Sequence, residues 1–268
     1  MAKDGTRGQT RQHSGGGDPA RSLSLLWRDP RTPARTGRRE LSVERIVTAA
    51  IEVADREGVV ALSMRRVADA LGVGTMSLYT YVPGKAELVD LMLDTVYAET
   101  DKPEQVPGGW RARLEQVARE NWALFHRHPW MLQLGVSRPP LGPNVLAKYD
   151  YELHAFAGTG LREVEMDTVL NLVVGHAENT ARRSVDARAA QRDPGVTDEQ
   201  WWQSTGQAAG SLVDFSRFPL AASVAEAVGA AYGTSYDAAH NFDAGLARIL
   251  DGVAVLVAQR QAEGSGGA

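Results

Sequence analysis

The sequence predicts an all-α protein: an N-terminal three-helix helix-turn-helix DNA-binding domain followed by a larger helical domain. Three observations predict it. Apolar residues recur at 3.6-residue spacing from Ser42 almost to the C-terminus. No stretch shows the apolar-polar alternation of a half-buried strand. Residues 63–82, SMRRVADALGVGTMSLYTYV, read as two short helices joined by a tight turn at Leu71-Gly72-Val73.

Residues 1–40 carry nine Lys/Arg against four acids among Gly, Ser and Pro, a composition that predicts a mostly disordered basic extension. Leu23-Ser24-Leu25-Leu26-Trp27 is an apolar island within it that can dock onto the body. Arg35, Arg38 and Arg39 stand just before the first firm helix, where an arm would add phosphate or minor-groove contacts; a solvated tail is the plainer reading. Ser42 can cap a helix whose inner face is Ile46, Ala49, Ala50, Val53 and Ala54, with Gly58 as its stop. Ser63 caps the next helix, with Val67, Ala68 and Leu71 inward, and residues 75–81 form a third. Pro83-Gly84 ends it, and Lys85 opens a fourth with Leu88, Leu91, Met92, Thr95 and Val96 on one face. The DNA-binding domain is therefore expected over 41–101, with a Pro- and Gly-rich connection from Asp101 to Gly109.

The second domain, 109–262, continues in helices over 110–127, 144–157, 164–190, 198–209 and 239–261. Residues 210–238 are Gly-, Ala- and Ser-rich and suggest one short helix at 220–230. The last helix carries Phe242, Leu246, Ile249, Leu250, Val253, Leu256 and Val257, a stripe that something must bury.

Composition narrows the chemistry. The chain has no cysteine, which removes disulfides and thiolate metal sites. It has no apolar run of about eighteen residues, so no membrane helix is expected, nor a secretory signal; a soluble cytoplasmic protein is the default. The net charge of −4 is unevenly spread: residues 1–90 hold 14 Lys/Arg and 11 Asp/Glu, residues 91–268 hold 15 and 22. A basic front on an acidic body concentrates phosphate affinity at one end. No paired acids, Ser/His/Asp set or phosphate loop stands out, so an enzyme is not expected. Gly72-Val73-Gly74 follows no strand and lacks its third glycine, which rules out a dinucleotide loop. His126 and His128 fall on different helix faces and read as surface or capping residues. His176 reads either as a satisfied core histidine or as a polar ligand contact.

In residues 63–82 the side chains sort by role. Val67, Leu71, Val73, Leu78 and Val82 anchor the unit, which leaves Thr75, Met76, Ser77, Thr80 and Tyr81 for a DNA groove. Hydroxyls bond base edges or phosphates, and methyl groups touch thymine methyls. Arg65, Tyr79 and Lys85 suit phosphate contacts, which fix register without reading sequence. Arg66 reads as a solvated or phosphate-side charge.

The run from Leu41 to Ala98, with Ala49-Ala50, Ser63-Met-Arg-Arg-Val-Ala68, Leu71-Gly72-Val73, Ser77-Leu78-Tyr79 and Lys85 with Leu88, resembles the N-terminal domain of the TetR/AcrR family of transcriptional repressors. The later residues His128-Pro-Trp130, Arg138-Pro-Pro140, Gly142-Pro-Asn144, Gly175-His176 and Phe242-Asp-Ala-Gly-Leu246 resemble a tetracycline-repressor-like C-terminal domain. The resemblance implies the same DNA-contacting positions: Tyr79 and Lys85 on phosphates, Arg65 on backbone or base, and Thr75, Met76, Ser77, Thr80 and Tyr81 on bases. It also implies a homodimer formed through the long late helices, a double-stranded operator and a small-molecule effector. Trp122, Phe125, Trp130 and Met131 read as core residues or as walls of the effector pocket, to which Leu134, His176 and Asn179 would add. The family's tetracycline- and magnesium-binding histidines fall near Asp101 and Leu134, and a pocket aromatic falls near Asn121, so no metal or cofactor is implied. A DNA-binding protein without an inducer, or an all-helical enzyme, are the competing readings.

Overall fold

The computed structural model describes residues 14–28, 41–135, 138–192, 198–234 and 236–265, and it shows no strand among them. The chain divides into two compact units. Unit 1 is residues 1–109 and 123–155; unit 2 is residues 110–122 and 156–268. The units therefore cut across the linear division at 101–109.

Unit 1 contains α1 (Pro19–Leu26), α2 (Val43–Glu57), α3 (Met64–Leu71), α4 (Thr75–Tyr79), α5 (Lys85–Tyr97) and α7 (Pro143–Leu153). The end of α6 (Gly109–Arg127) and the 3-10 turn Pro129–Gln133 complete it. Helix starts follow the expected caps. Ser42 Oγ accepts the Arg45 N–H at 3.3 Å, and Ser63 Oγ accepts that of Arg66 at 3.2 Å. Gly72 ends α3 at φ +68°, a left-handed conformation that favours glycine, and the Val73 N–H closes onto the Ala68 carbonyl. Ile46, Val53, Val67, Leu78, Val82, Leu88 and Met92 are fully buried and form the shared core.

Two expectations change here. Helix α5 is buried almost all round rather than on one face, because α1, α2 and α7 all pack on it. Thr95 leaves that face; it is exposed, and its hydroxyl donates to the Leu91 carbonyl. Residues 14–28, inside the stretch whose composition reads as mostly disordered, fold onto unit 1. Asp18 caps α1, Gly15 N–H and Ser22 Oγ each donate to the Asp90 carboxylate at 2.9 Å, and Trp27 Nε1 donates to the Leu141 carbonyl at 2.9 Å. Arg35, Arg38 and Arg39 lie outside the described residues.

One turn beyond Asp90, Asp94 caps α7. Its Oδ1 accepts the backbone N–H groups of Asn144 and Val145, each at 3.0 Å, and its Oδ2 accepts Asn144 Nδ2. Gly142 is required for this approach, since a Cβ there would meet Asp94 Oδ1 at 2.1 Å. Burial pushes the Asp94 carboxyl above its ordinary range, and the three donors only partly offset this.

Unit 2 contains the start of α6, then α8 (Glu163–Arg192), α9 (Asp198–Leu212), α10 (Pro219–Tyr232) and α11 (Ala238–Ser265). Helices α8 and α11 pack lengthwise. Val169, Val173, Ala177 and Ala181 meet Phe242, Leu246, Leu250, Val253 and Val257, all buried. Arg260 of α11 holds Glu165 of α8, which Arg162 also binds. Hydrogen bonds from Arg162 and Arg260 hold the Glu165 carboxyl far below the usual carboxylate range. Ile249 and Leu256, expected in the buried stripe, are only half-buried. Helix α10 extends beyond the short helix expected at 220–230 and buries none of its residues. No helix among the described residues is long and apolar enough to cross a membrane, and no group of three metal-binding side chains occurs among them.

Candidate nucleic-acid interface

The interface is built from α3, the turn at Gly72 and α4. In α4 only Leu78 is buried, at 0% exposure, and Val82 closes the unit behind it. That single anchor turns the rest of the helix outward: Met76 is 77% exposed, Ser77, Tyr79 and Thr80 are exposed, and Thr75 and Tyr81 are half-buried. Five candidate base-reading residues and a tyrosine expected on phosphate thus share one short element and its C-terminal turn. Leu71 and Val73, expected inward, are half-buried and contribute less anchoring than Val67 and Leu78.

Arg65 projects from α3 with its side chain exposed, and its nearest acid is Asp69 at 4.0 Å. Such a pair in water contributes little and yields readily to a phosphate. Arg66 is engaged differently. It makes a close ion pair with Glu57 at the end of α2, which Arg56 also contacts. The Arg66 hydrogen bond holds the Glu57 carboxyl below its usual range. Arg66 remains exposed, as its reading as a solvated charge expects, and the pair adds a contact between α3 and α2. Lys85, at the first turn of α5, is half-buried and donates from Nζ to the Val59 carbonyl at 3.1 Å. Burial lowers its pKa below that of an ordinary lysine. An ammonium has three donors, so two remain for a phosphate beside the one that holds the α2–α3 loop.

The expected pocket residues are distributed over both units. Phe125, Trp130, Met131 and Leu134 are buried in unit 1. Trp122, His176 and Asn179 belong to unit 2. There Trp122 stacks on Phe242 at 5.0 Å between centroids, and His176 lies nearly parallel to Phe242 at 5.8 Å. His176 Nε2 is 2.9 Å from the Phe242 carbonyl oxygen, which only accepts, so this nitrogen carries the proton. Gly245 makes room for that ring: a Cβ there would fall 2.3 Å from His176 Cε1. Asn179 is exposed. Phe242 and Arg119, whose guanidinium lies 5.7 Å from the Phe242 centroid, complete an aromatic cluster that the sequence pattern did not assign to a site. His128 is buried at 5% exposure rather than on the surface, but it caps α6, the other half of its sequence reading, and both its ring nitrogens lie on carboxylates.

A short, singly anchored helix that presents hydroxyl, thioether and aromatic groups beyond a glycine turn, with cations flanking it, defines a helix-turn-helix DNA-binding head. Comparison with known proteins gives the family. Residues 46–92 match the family described as "Bacterial regulatory proteins, tetR family", and residues 102–257 match "Tetracyclin repressor-like, C-terminal domain". The chain is 44% identical to the HTH-type transcriptional repressor DrrR1 of Streptomyces coeruleorubidus over 260 residues, 97% of this chain and 94% of that one. Apo ActR of Streptomyces coelicolor superposes with a TM-score of 0.65 at 28% identity, covering 82% of this chain and 97% of ActR. ActR in complex with actinorhodin superposes with a TM-score of 0.64 at 29% identity, covering 81% and 99%. The chain belongs to the TetR family of helix-turn-helix transcriptional regulators: it is a transcriptional repressor of that family, not an enzyme.

Proposed function

We propose that the protein acts in the cytoplasm as a homodimer whose two heads enter successive major grooves of a palindromic operator, and that a small, largely apolar molecule releases it. The single observation that carries this reading is the outward face of α4, with Leu78 as its sole buried residue. In this reading Arg65, Tyr79 and Lys85 contact phosphates, while Thr75, Met76, Ser77, Thr80 and Tyr81 face base edges. Two heads related by a two-fold axis require half-sites about one helical turn apart, ~34 Å or slightly more. The ActR–actinorhodin complex supports release by a small molecule. We place the effector contacts of unit 2 at Trp122 and His176, beside Phe242. Release then needs only a difference in effector affinity between two states, of order 1–3 kcal/mol.

Selection of genomic fragments bound by the purified protein tests this. The expected product is one inverted repeat with half-sites in successive major grooves. Recovery of fragments with no shared inverted repeat would overturn the dimeric operator reading.

A further inference from the structure

His128 stands where α6 ends and the Pro129–Gln133 turn begins. Its Nδ1 lies 2.8 Å from Asp55 Oδ1 on α2, and its Nε2 lies 3.0 Å from Glu99 Oε2, two residues past α5. An ionised carboxylate only accepts hydrogen bonds, and an imidazole nitrogen donates only when it carries a proton. Two carboxylate partners therefore call for both protons, the imidazolium form. Glu99 supports this. Burial would raise its pKa, but hydrogen bonds from His128 and Arg127 outweigh burial and hold it below the usual carboxylate range. The charged groups facing His128 are Asp55 from α2, Glu99 from beyond α5 and, through Glu99, Arg127 from α6 at 2.9 Å. The turn that follows presents the Trp130 ring, 6.1 Å away. Two cations and two anions make a neutral set, which is how charge is tolerated at a buried position.

We propose that His128, as an imidazolium, is a positioning residue for DNA binding: it latches α2 to the ends of α5 and α6, and operator affinity is linked to its proton. Helix α2 packs on α3, and α3 packs on α4, so the setting of α2 sets the presentation of the recognition helix. Loss of the proton would turn one ring nitrogen into a lone pair facing a carboxylate about 3 Å away. Attraction becomes repulsion, and α2 is no longer held. The DNA-related consequence rests on the function proposed above; the protonation state does not.

Two measurements on the full chain test the proposal. Nitrogen NMR of the histidine rings reads the protonation state directly. The expected result is both His128 ring nitrogens protonated under the conditions in which the protein binds DNA; a single-proton tautomer there overturns the proposal. Operator affinity, measured with the selected site, is then followed as pH rises. The state that binds DNA holds the proton, so the association constant falls as pH rises, by up to about tenfold per pH unit for one linked proton. His128→Gln flattens this dependence, and Asp55→Asn, which keeps the side-chain volume, reduces it. A merely structural histidine would lower thermal stability when replaced but leave the pH slope of affinity as in wild type, and that outcome also overturns the proposal. Failure of the DNA-binding reading shows separately, as a protonated latch in a protein that selects no site.

Discussion

Lys85 illustrates how one side chain combines structural and binding roles. Its ammonium holds the Val59 carbonyl, and its burial makes the charge costly until a counter-charge arrives. A DNA phosphate would supply that counter-charge. Lys85→Ala should weaken binding to all sequences alike and reduce the slope of log affinity against log salt by roughly one. Salt titration of the association constant checks this, and an unchanged slope removes Lys85 from the phosphate contacts. On the reading face, Thr75→Ala or Ser77→Ala should alter preference at one base pair by about 1–3 kcal/mol. Competition between operator variants measures it; wild-type preference in both mutants would mean that α4 is oriented differently. In unit 2, Gly245→Ala would drive a methyl into the His176 ring and should cost about 1–3 kcal/mol in denaturant unfolding, as overpacked cores do. At this scale the sequence shows what is local. The outward residues of α4 are legible because a five-residue helix with one apolar anchor leaves few choices. The partners of His128 are not, because Asp55 and Glu99 lie 73 and 29 positions away and local periodicity carries no record of them.

At the scale of elements, α5 departs most from its pattern. Its periodicity marks one apolar face, yet acids on its other sides are buried because they cap neighbouring segments rather than meet water. Asp90 holds α1, and Asp94 holds the start of α7. The motif Gly142-Pro-Asn144 now has a physical reason: glycine clears the carboxylate, proline suits the first helical position, and asparagine adds a side-chain donor. Asp94→Ala should cost about 1–2 kcal/mol, the usual value of a lost helix cap. Asp94→Asn keeps a carbonyl oxygen for the two backbone donors but sets an NH2 against Asn144 Nδ2, so the Asn144 amide must turn its oxygen inward, and the variant should cost less than Asp94→Ala at pH 7. The sign with pH follows from burial. The folded state binds the Asp94 proton more tightly than the unfolded chain, so this group's contribution weakens as pH rises from the unfolded carboxyl range through the higher folded value. Asp94→Asn removes that component, and the wild-type-minus-mutant difference in unfolding free energy across acidic pH should show it. A flat difference would mean that the cap is not protonated more readily in the fold. Helix α1 was half legible: its apolar residues announced an island that can dock, but the surrounding Arg-, Gly- and Ser-rich composition concealed a capped helix.

The whole molecule must reconcile an acidic chain with a nucleic-acid partner. The positive excess lies in residues 1–40, nine Lys/Arg against four acids, while residues 41–101 hold 5 Lys/Arg and 10 Asp/Glu, so the head would draw phosphates through individually placed cations such as Arg65 and Lys85, with charges beyond a Debye length of about 8–10 Å screened. Unit 2 poses a second question, since its packed pair α8 and α11 still shows large apolar side chains to solvent in a single chain. Leu172 is 54% exposed and Val255 is 60% exposed. Helix α10, apolar and without a buried residue, adds Leu220 and Val224. Exposed apolar surface of this kind marks an interaction site, and a second copy of the chain would cover it in the dimer proposed above. The expectation is that sedimentation equilibrium finds a dimer and that Leu172→Arg with Val255→Arg shifts it to monomer while leaving helical content intact. Operator affinity should then fall by roughly 10²–10⁴-fold, because a lone head loses the effective concentration supplied by its linked partner. A double mutant that remains dimeric would place the two-fold contact elsewhere on unit 2. One that becomes monomeric yet binds the full operator as tightly as wild type would show that the heads do not act as a pair.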